Sequence, residues 1–131
     1  MIRYLEKKRF FALILAVLIA IEIFWFSSLS GKSTGGGLPF MAIAYHFIVF
    51  FELNFFLLIT FISKNKIKKS TFFLVLVITV IYAILDEIHQ LSTPFRSYSI
   101  TDFLTDFSGI TISSLTYLIA KRKTLEQKKS K

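Results

Sequence analysis

Four stretches of this chain are apolar for long enough to cross a bilayer, and short polar segments divide them. The first runs from Phe10 to about Leu29. At 1.5 Å rise per residue, a helix of about 20 residues covers a hydrocarbon core of roughly 30 Å. The second predicted helix covers residues 39–62, with Pro39 in its first turn, where the missing N–H costs no hydrogen bond. The third is predicted over residues 71–91 and the fourth over 100–120. The basic start of the first run resembles a signal peptide, but no small-residue cleavage site follows, so it reads as a retained helix. Turn-rich residues 27–37, including Gly35-Gly36-Gly37, form the first loop. A Lys-rich linker from Ser63 to Ser70 and a connection from Ser92 to Ser99 complete the pattern. The expectation is an all-α polytopic membrane bundle, one domain over residues 1–131, with sequential helices as antiparallel neighbours. Residues 121–131 read as a basic tail, frayed or disordered.

Composition strengthens this picture. Hydrophobic residues make up 54% of 131, and mean hydropathy is +0.65. A water-soluble chain of this size could not bury that much apolar surface, so lipid must cover it. The 16 Phe suit lipid-facing surfaces rather than a cofactor stack. There is no Cys, which excludes disulfides and thiolate chemistry.

Charge adds orientation. Arg3, Lys7, Lys8 and Arg9 precede the first run, Lys64, Lys66, Lys68 and Lys69 sit in the middle linker, and six more basic residues follow residue 120. Positive-inside bias puts both termini and that linker in the cytoplasm. The Gly-rich loop and the loop with Pro94 and Arg96 then lie outside. Nucleic acid is excluded as a partner, since no basic folded face with readout residues exists. Basic clusters beside anionic lipid explain the net charge of +8. The Gly run is no phosphate cradle, lacking a following Lys-Ser/Thr and a strand.

With that orientation, both histidines and six of the eight acids fall between mid-membrane and the outer surface. Ionisable groups in spans are costly, about 2.5–3.5 kcal/mol at the bilayer centre, and mark function by default. Thr79, Tyr82, Asp86 and His89 share one face of the third helix; Gln90 borders it, and Glu87 points about a quarter-turn away. Asp102, Asp106, Gly109 and Ser113 share a face of the fourth, and Gly109-x-x-x-Ser113 would admit a neighbouring helix closely. The simplest assembly sets the first face against the second, with Arg96 neutralising carboxylates. Glu22 and Glu52 read as lone acids inside the bundle.

The run Asp86-Glu87-x-His89-Gln90, then Pro94-x-Arg96, Asp102 and Asp106-x-x-Gly109, resembles the signature of the VanZ-like membrane proteins. Phe26-Ser27-Ser28-x-Ser30-Gly31 and His46 resemble that family's first-loop and second-helix positions. Phe95 stands where the family often has Gly, and Asp106 where it often has Asn. The resemblance implies an integral protein of the bacterial envelope, associated with reduced susceptibility to teicoplanin-type glycopeptides. It implies no particular reaction.

The residues themselves keep several readings open. In the leading one, an outward-facing polar pocket of a multi-pass cell-membrane protein handles a lipid-linked or peptidoglycan-related substrate, or the glycopeptide itself. His89 with Asp86 or Glu87 would be the acid/base pair, and Arg96, Gln90, Asp102, Asp106 and His46 would bind and orient. A bundle-fixing polar network, a non-catalytic accessory protein and a small proton-coupled transporter are the alternatives. Ser27, Ser28 or Ser30 near His46 is a weaker nucleophile candidate. No cofactor is assigned; a divalent metal on His46, His89, Glu87 and one Asp is chemically admissible but matches no known zinc spacing. Oligomeric state stays open.

Overall fold

The computed structural model describes residues 2–30, 39–62 and 66–129. Its elements are α1 (Ile2–Lys7), α2 (Arg9–Ser27), α3 (Pro39–Phe61), α4 (Lys69–Gln90) and α5 (Ile100–Lys129). Four of these, α2 to α5, are long and apolar enough to cross a membrane. The protein is a multi-pass helical membrane protein, and each span matches a predicted run to within two residues except at the end of α5. The Gly-rich run at 35–37, with Lys32, and residue Lys64 lie outside the described residues.

The tail departs from expectation. Residues 121–129 continue α5 as helix instead of fraying. Lys, Arg, Leu, Glu and Gln dominate there, all good helix formers, and neither Gly nor Pro interrupts them. Extending an existing helix carries none of the nucleation cost that disfavours a short isolated one. The extension is also anchored: the Lys121 ammonium donates to Glu6 Oε1 of α1, and Tyr117 Oη donates to the same oxygen at 3.4 Å. The short N-terminal helix, read from sequence only as a basic flank, thus docks on α5 through a buried ion pair. Arg9 Nη2 donates to Ile62 O at 2.6 Å and so satisfies one carbonyl left over at the end of α3.

Helix α3 packs against every other helix, most extensively against α5. This pairing skips one element, so sequence neighbours are not the closest spatial neighbours. The reason lies in small side chains on α5. A Cβ added at Gly109 would stand 2.5 Å from Phe47 O and 3.1 Å from Phe51 N, so only glycine lets the two backbones come this close. One turn further along, Asn54 of α3 donates to Ile110 O, Ser113 Oγ and Ser114 Oγ of α5, while Thr79 of α4 donates to Asn54 Oδ1. Such bonds are worth about 0.6 kcal/mol each on average in a membrane, so they define register more than they supply stability.

The interior is filled by two apolar clusters. Ala16, Ile23, Phe50, Leu53, Ala83 and Ile110 contribute to one, and Ala12, Leu58, Ile62, Val75 and Tyr117 to the other. The outer faces are apolar as well: Phe10, Phe24, Phe40, Phe73 and Ile88 are all exposed, as lipid contact demands. Glu22 and Glu52, expected inside, are exposed instead. Each lies off its helix's buried stripe, which Ile19 and Ile23 occupy on α2 and Leu53 and Asn54 on α3.

Replacing Gly109 with Ala should force α5 away from α3 and cost about 1–3 kcal/mol. The check is the thermal midpoint of detergent-purified protein, and an unchanged midpoint would show that the helices do not meet here.

Candidate functional site

The polar end of the bundle gathers the C-termini of α2 and α4 and the N-termini of α3 and α5. Local sequence explains how the chain turns there. Ser99 caps α5: its Oγ accepts the Asp102 N–H at 3.1 Å, three residues on, and its carbonyl accepts the Phe103 N–H. The Ser99 N–H itself donates to Glu87 Oε2 at 2.9 Å. In an ordinary capping box that return bond comes from the third residue of the same helix. Here a carboxylate from α4 makes it, placing a negative charge at the positive end of α5.

Glu87 also faces the second pair. His46 Nδ1 lies 2.9 Å from Asp106 Oδ1, and His46 Nε2 lies 4.0 Å from Asp102 Oδ2. All three of His46, Glu87 and Asp106 are buried, at 7%, 1% and 0% exposure. One ligand-capable atom from each lies within 4.8 Å of the others. Glu87 Oε1 and Asp106 Oδ2 are buried with no hydrogen-bond partner. This cluster joins α3, α4 and α5, and it exists because Gly109, one turn below Asp106, lets α5 approach Phe47, next to His46.

Asp86 turns the other way, toward α2. Ser27 Oγ donates to Asp86 Oδ1 at 2.6 Å, and Gln90 Nε2 donates to Oδ2 at 3.0 Å. Arg96 completes this network without touching a carboxylate. Its Nε donates to Leu29 O, its Nη2 to Phe26 O and its Nη1 to Gln90 Oε1, at 3.1, 3.0 and 3.3 Å. Arg96 is thus a clamp on the carbonyls at the end of α2, where a cation also complements the helix dipole. Thr93 Oγ1 adds a bond to Ser27 O. Holding Arg96 in place requires a sharp turn at Phe95, whose φ of 62° is in the left-handed region. That conformation favours glycine, the residue the resemblance places after the proline.

His89 stands apart from both networks. Its Nε2 is 2.9 Å from Ser28 Oγ, and its ring stacks on Phe24 at a centroid distance of 4.7 Å. Ser28 Oγ is also 2.7 Å from Phe24 O. Ser28 has one hydroxyl proton, so it either donates to Phe24 O and accepts from His89, or donates to His89. The pair is open at its Ser28 side and half-buried at His89.

The structure therefore divides the predicted residues into three groups. Ser27, Asp86, Gln90 and Arg96 form one chain of hydrogen bonds; His46, Asp102, Asp106 and Glu87 cluster together; His89 meets Ser28. The expected packing of the Asp86/His89 face against Asp102/Asp106 is corrected, because α2 covers the Asp86 face and α3 covers Asp106. The serine expected near His46 lies beside His89 instead. Ser27 as the partner of Asp86, and Asn54 as a hub, were missed; the one amide side chain in the middle of a largely apolar helix was the signal for the second.

The family model described as VanZ/LLP1 matches residues 3–121. The chain belongs to the VanZ/LLP1 family. Neither a curated protein nor a solved structure matches it. The match covers α2, α3 and α4 and α5 as far as residue 121, so every group of this VanZ-like polar end lies within it.

Two substitutions check the geometry of this end. Arg96→Ala should lower stability by about 2–3 kcal/mol, since its bonds come from a charged donor, and Arg96→Lys should restore only part because a point charge cannot fork. Phe95→Gly should raise stability by about 1 kcal/mol by removing the left-handed strain. Both are read from thermal or denaturant unfolding in detergent, and a destabilising Phe95→Gly would contradict the strain.

Proposed function

We propose that this VanZ-family protein binds the polar headgroup of a lipid-linked or peptidoglycan-related envelope molecule at the polar end of its bundle, on the outer side of the membrane. Binding there lowers susceptibility to teicoplanin-type glycopeptides. The observation that carries this reading is the accessible Ser28–His89 pair, at 2.9 Å, beside the exposed apolar side chains of Phe24, Ile88 and Leu91. A polar pair edged by lipid-facing side chains suits a molecule whose headgroup is polar and whose tail stays in the bilayer. The basic clusters at the other end of the spans support the outward sense.

In this reading His89 exchanges a proton or a hydrogen bond with the bound headgroup, with Ser28 beside it. Asp86, Gln90 and Arg96 shape the rim by holding the end of α2 against α4. A non-catalytic binding role is the second reading. It is favoured by the engagement of Asp86 with Ser27 and Gln90, which leaves His89 without a carboxylate to orient it. A proton relay is disfavoured, because the layer beneath consists of Asn54, Thr79, Ser113 and Ser114 and offers no carboxylate or imidazole.

The test is His89→Ala, scored for membrane accumulation and for teicoplanin susceptibility. The expected result is normal accumulation with the protective effect lost. Normal accumulation with unchanged susceptibility would sink the assignment. Turnover of envelope lipids by purified protein, present or absent, separates the catalytic from the binding reading.

A further inference from the structure

The buried acid cluster is short of positive charge. Asp102, Asp106 and Glu87 surround one imidazole, and among the described residues no Lys or Arg forms a salt bridge with any of them. The nearest arginine in sequence, Arg96, donates to two backbone carbonyls and Gln90. A buried carboxylate oxygen without a partner is costly, and here two of them, Glu87 Oε1 and Asp106 Oδ2, belong to side chains that are 1% and 0% exposed. A cation between them would repay both at once.

We infer that His46, Glu87 and Asp106 bind one divalent cation, of the zinc or manganese class, with Asp102 in reach as a fourth ligand. The donor set is one imidazole and two carboxylates, which suits these ions, while a purely hard ion such as magnesium prefers oxygen alone. Donor atoms on a tetrahedral ion stand roughly 3.4 Å apart. The three donors already lie within 4.8 Å of one another, so small rotamer shifts close the site. Each donor is held by a different helix, and all three are positioned independently of any ion. Glu87 is fixed through Oε2 by the Ser99 N–H, and His46 and Asp106 are brought together by the glycine contact of α3 with α5. Either ring nitrogen of His46 has a carboxylate beside it, Asp106 at 2.9 Å or Asp102 at 4.0 Å. One nitrogen can therefore hold the ion while the other is oriented by a carboxylate, the arrangement usual for metal-bound histidine. A cation here would also make this end of the bundle attractive to an anionic headgroup; that consequence alone rests on the proposed function.

The experiment uses the full chain, purified in detergent with a histidine-free tag and stripped with a chelator. Co2+ is titrated as the probe, its visible absorption is followed, and Zn2+ is added as competitor. One ion per chain, displaced by Zn2+, is expected. Asp106→Asn keeps the shape and the bond to His46 but removes charge, and Glu87→Gln does the same on α4; each should weaken binding about tenfold or more. Glu52→Gln, on the outer face, should bind as the parent does. Absence of binding by the folded parent overturns the proposal, as does undiminished binding in both variants. Should either variant fail to fold, Mn2+ magnetic resonance of the parent decides alone: coupling to one imidazole nitrogen is expected, and none or two overturns the assignment. His89→Ala should retain the ion, so loss of the glycopeptide phenotype and loss of the metal are separable outcomes.

Discussion

The close approach of α5 to α3 at Gly109 is the constraint on which the polar end depends. A helix pair in lipid gains little from hiding apolar surface, because lipid is as apolar as leucine, so packing and hydrogen bonds must hold it. Glycine at 109 lets the backbone of α5 reach Phe47 O. From that contact Asp106 meets His46 on one side, and Asn54 meets Ser113 and Ser114 on the other. Without it the carboxylate would face either lipid or an apolar core, at a cost of several kcal/mol.

Two adjacent acids on α4 then divide the end of the bundle between them. Successive residues on a helix differ by about 100° in direction, so Asp86 and Glu87 cannot serve the same neighbour. Asp86 is tied to α2 through Ser27, and Glu87 to the start of α5 through the Ser99 N–H. Both bonds are structural, and they leave different remainders. Asp86 has both oxygens occupied, whereas Glu87 keeps one without a partner beside His46 and Asp106. Arg96, the one Lys or Arg at this end among the described residues, donates to carbonyls at the end of α2. The result is an accessible Ser28–His89 pair above a buried, acid-rich cluster.

The far end is built differently. Glu6 and Lys121 form a buried pair between the first and last helices, and Arg9 caps α3. Chain ends that would otherwise fray are held by charge there, and α5 continues as a helix to Lys129. Sequence reading treated the basic residues of both ends as topology signals and lipid-headgroup contacts, and assigned Glu6 no part. A lone acid among flanking basic residues says nothing about a lysine more than a hundred positions away.

The four spans, the all-helical class and the family signature were legible from sequence, because a bilayer demands a fixed apolar length and self-satisfied backbone. The identities of the polar residues were legible for the same reason: each is conspicuous in an apolar run. Their grouping was not. Helical periodicity gives the direction of a side chain around its own axis, but not which helix stands in that direction. That was decided by a glycine contact bringing α3 and α5 together past α4, by Ser99 drawing Glu87 across, and by Arg96 closing on α2. Glu22 and Glu52 teach the same point from the other side, since their exposure follows from where the neighbours are and not from their own helices. Sequence alone determined that a membrane bundle carries an ionisable signature; only tertiary packing split that signature into a clamp, an open Ser–His pair and a buried acid cluster, because those distances depend on how separate helices meet.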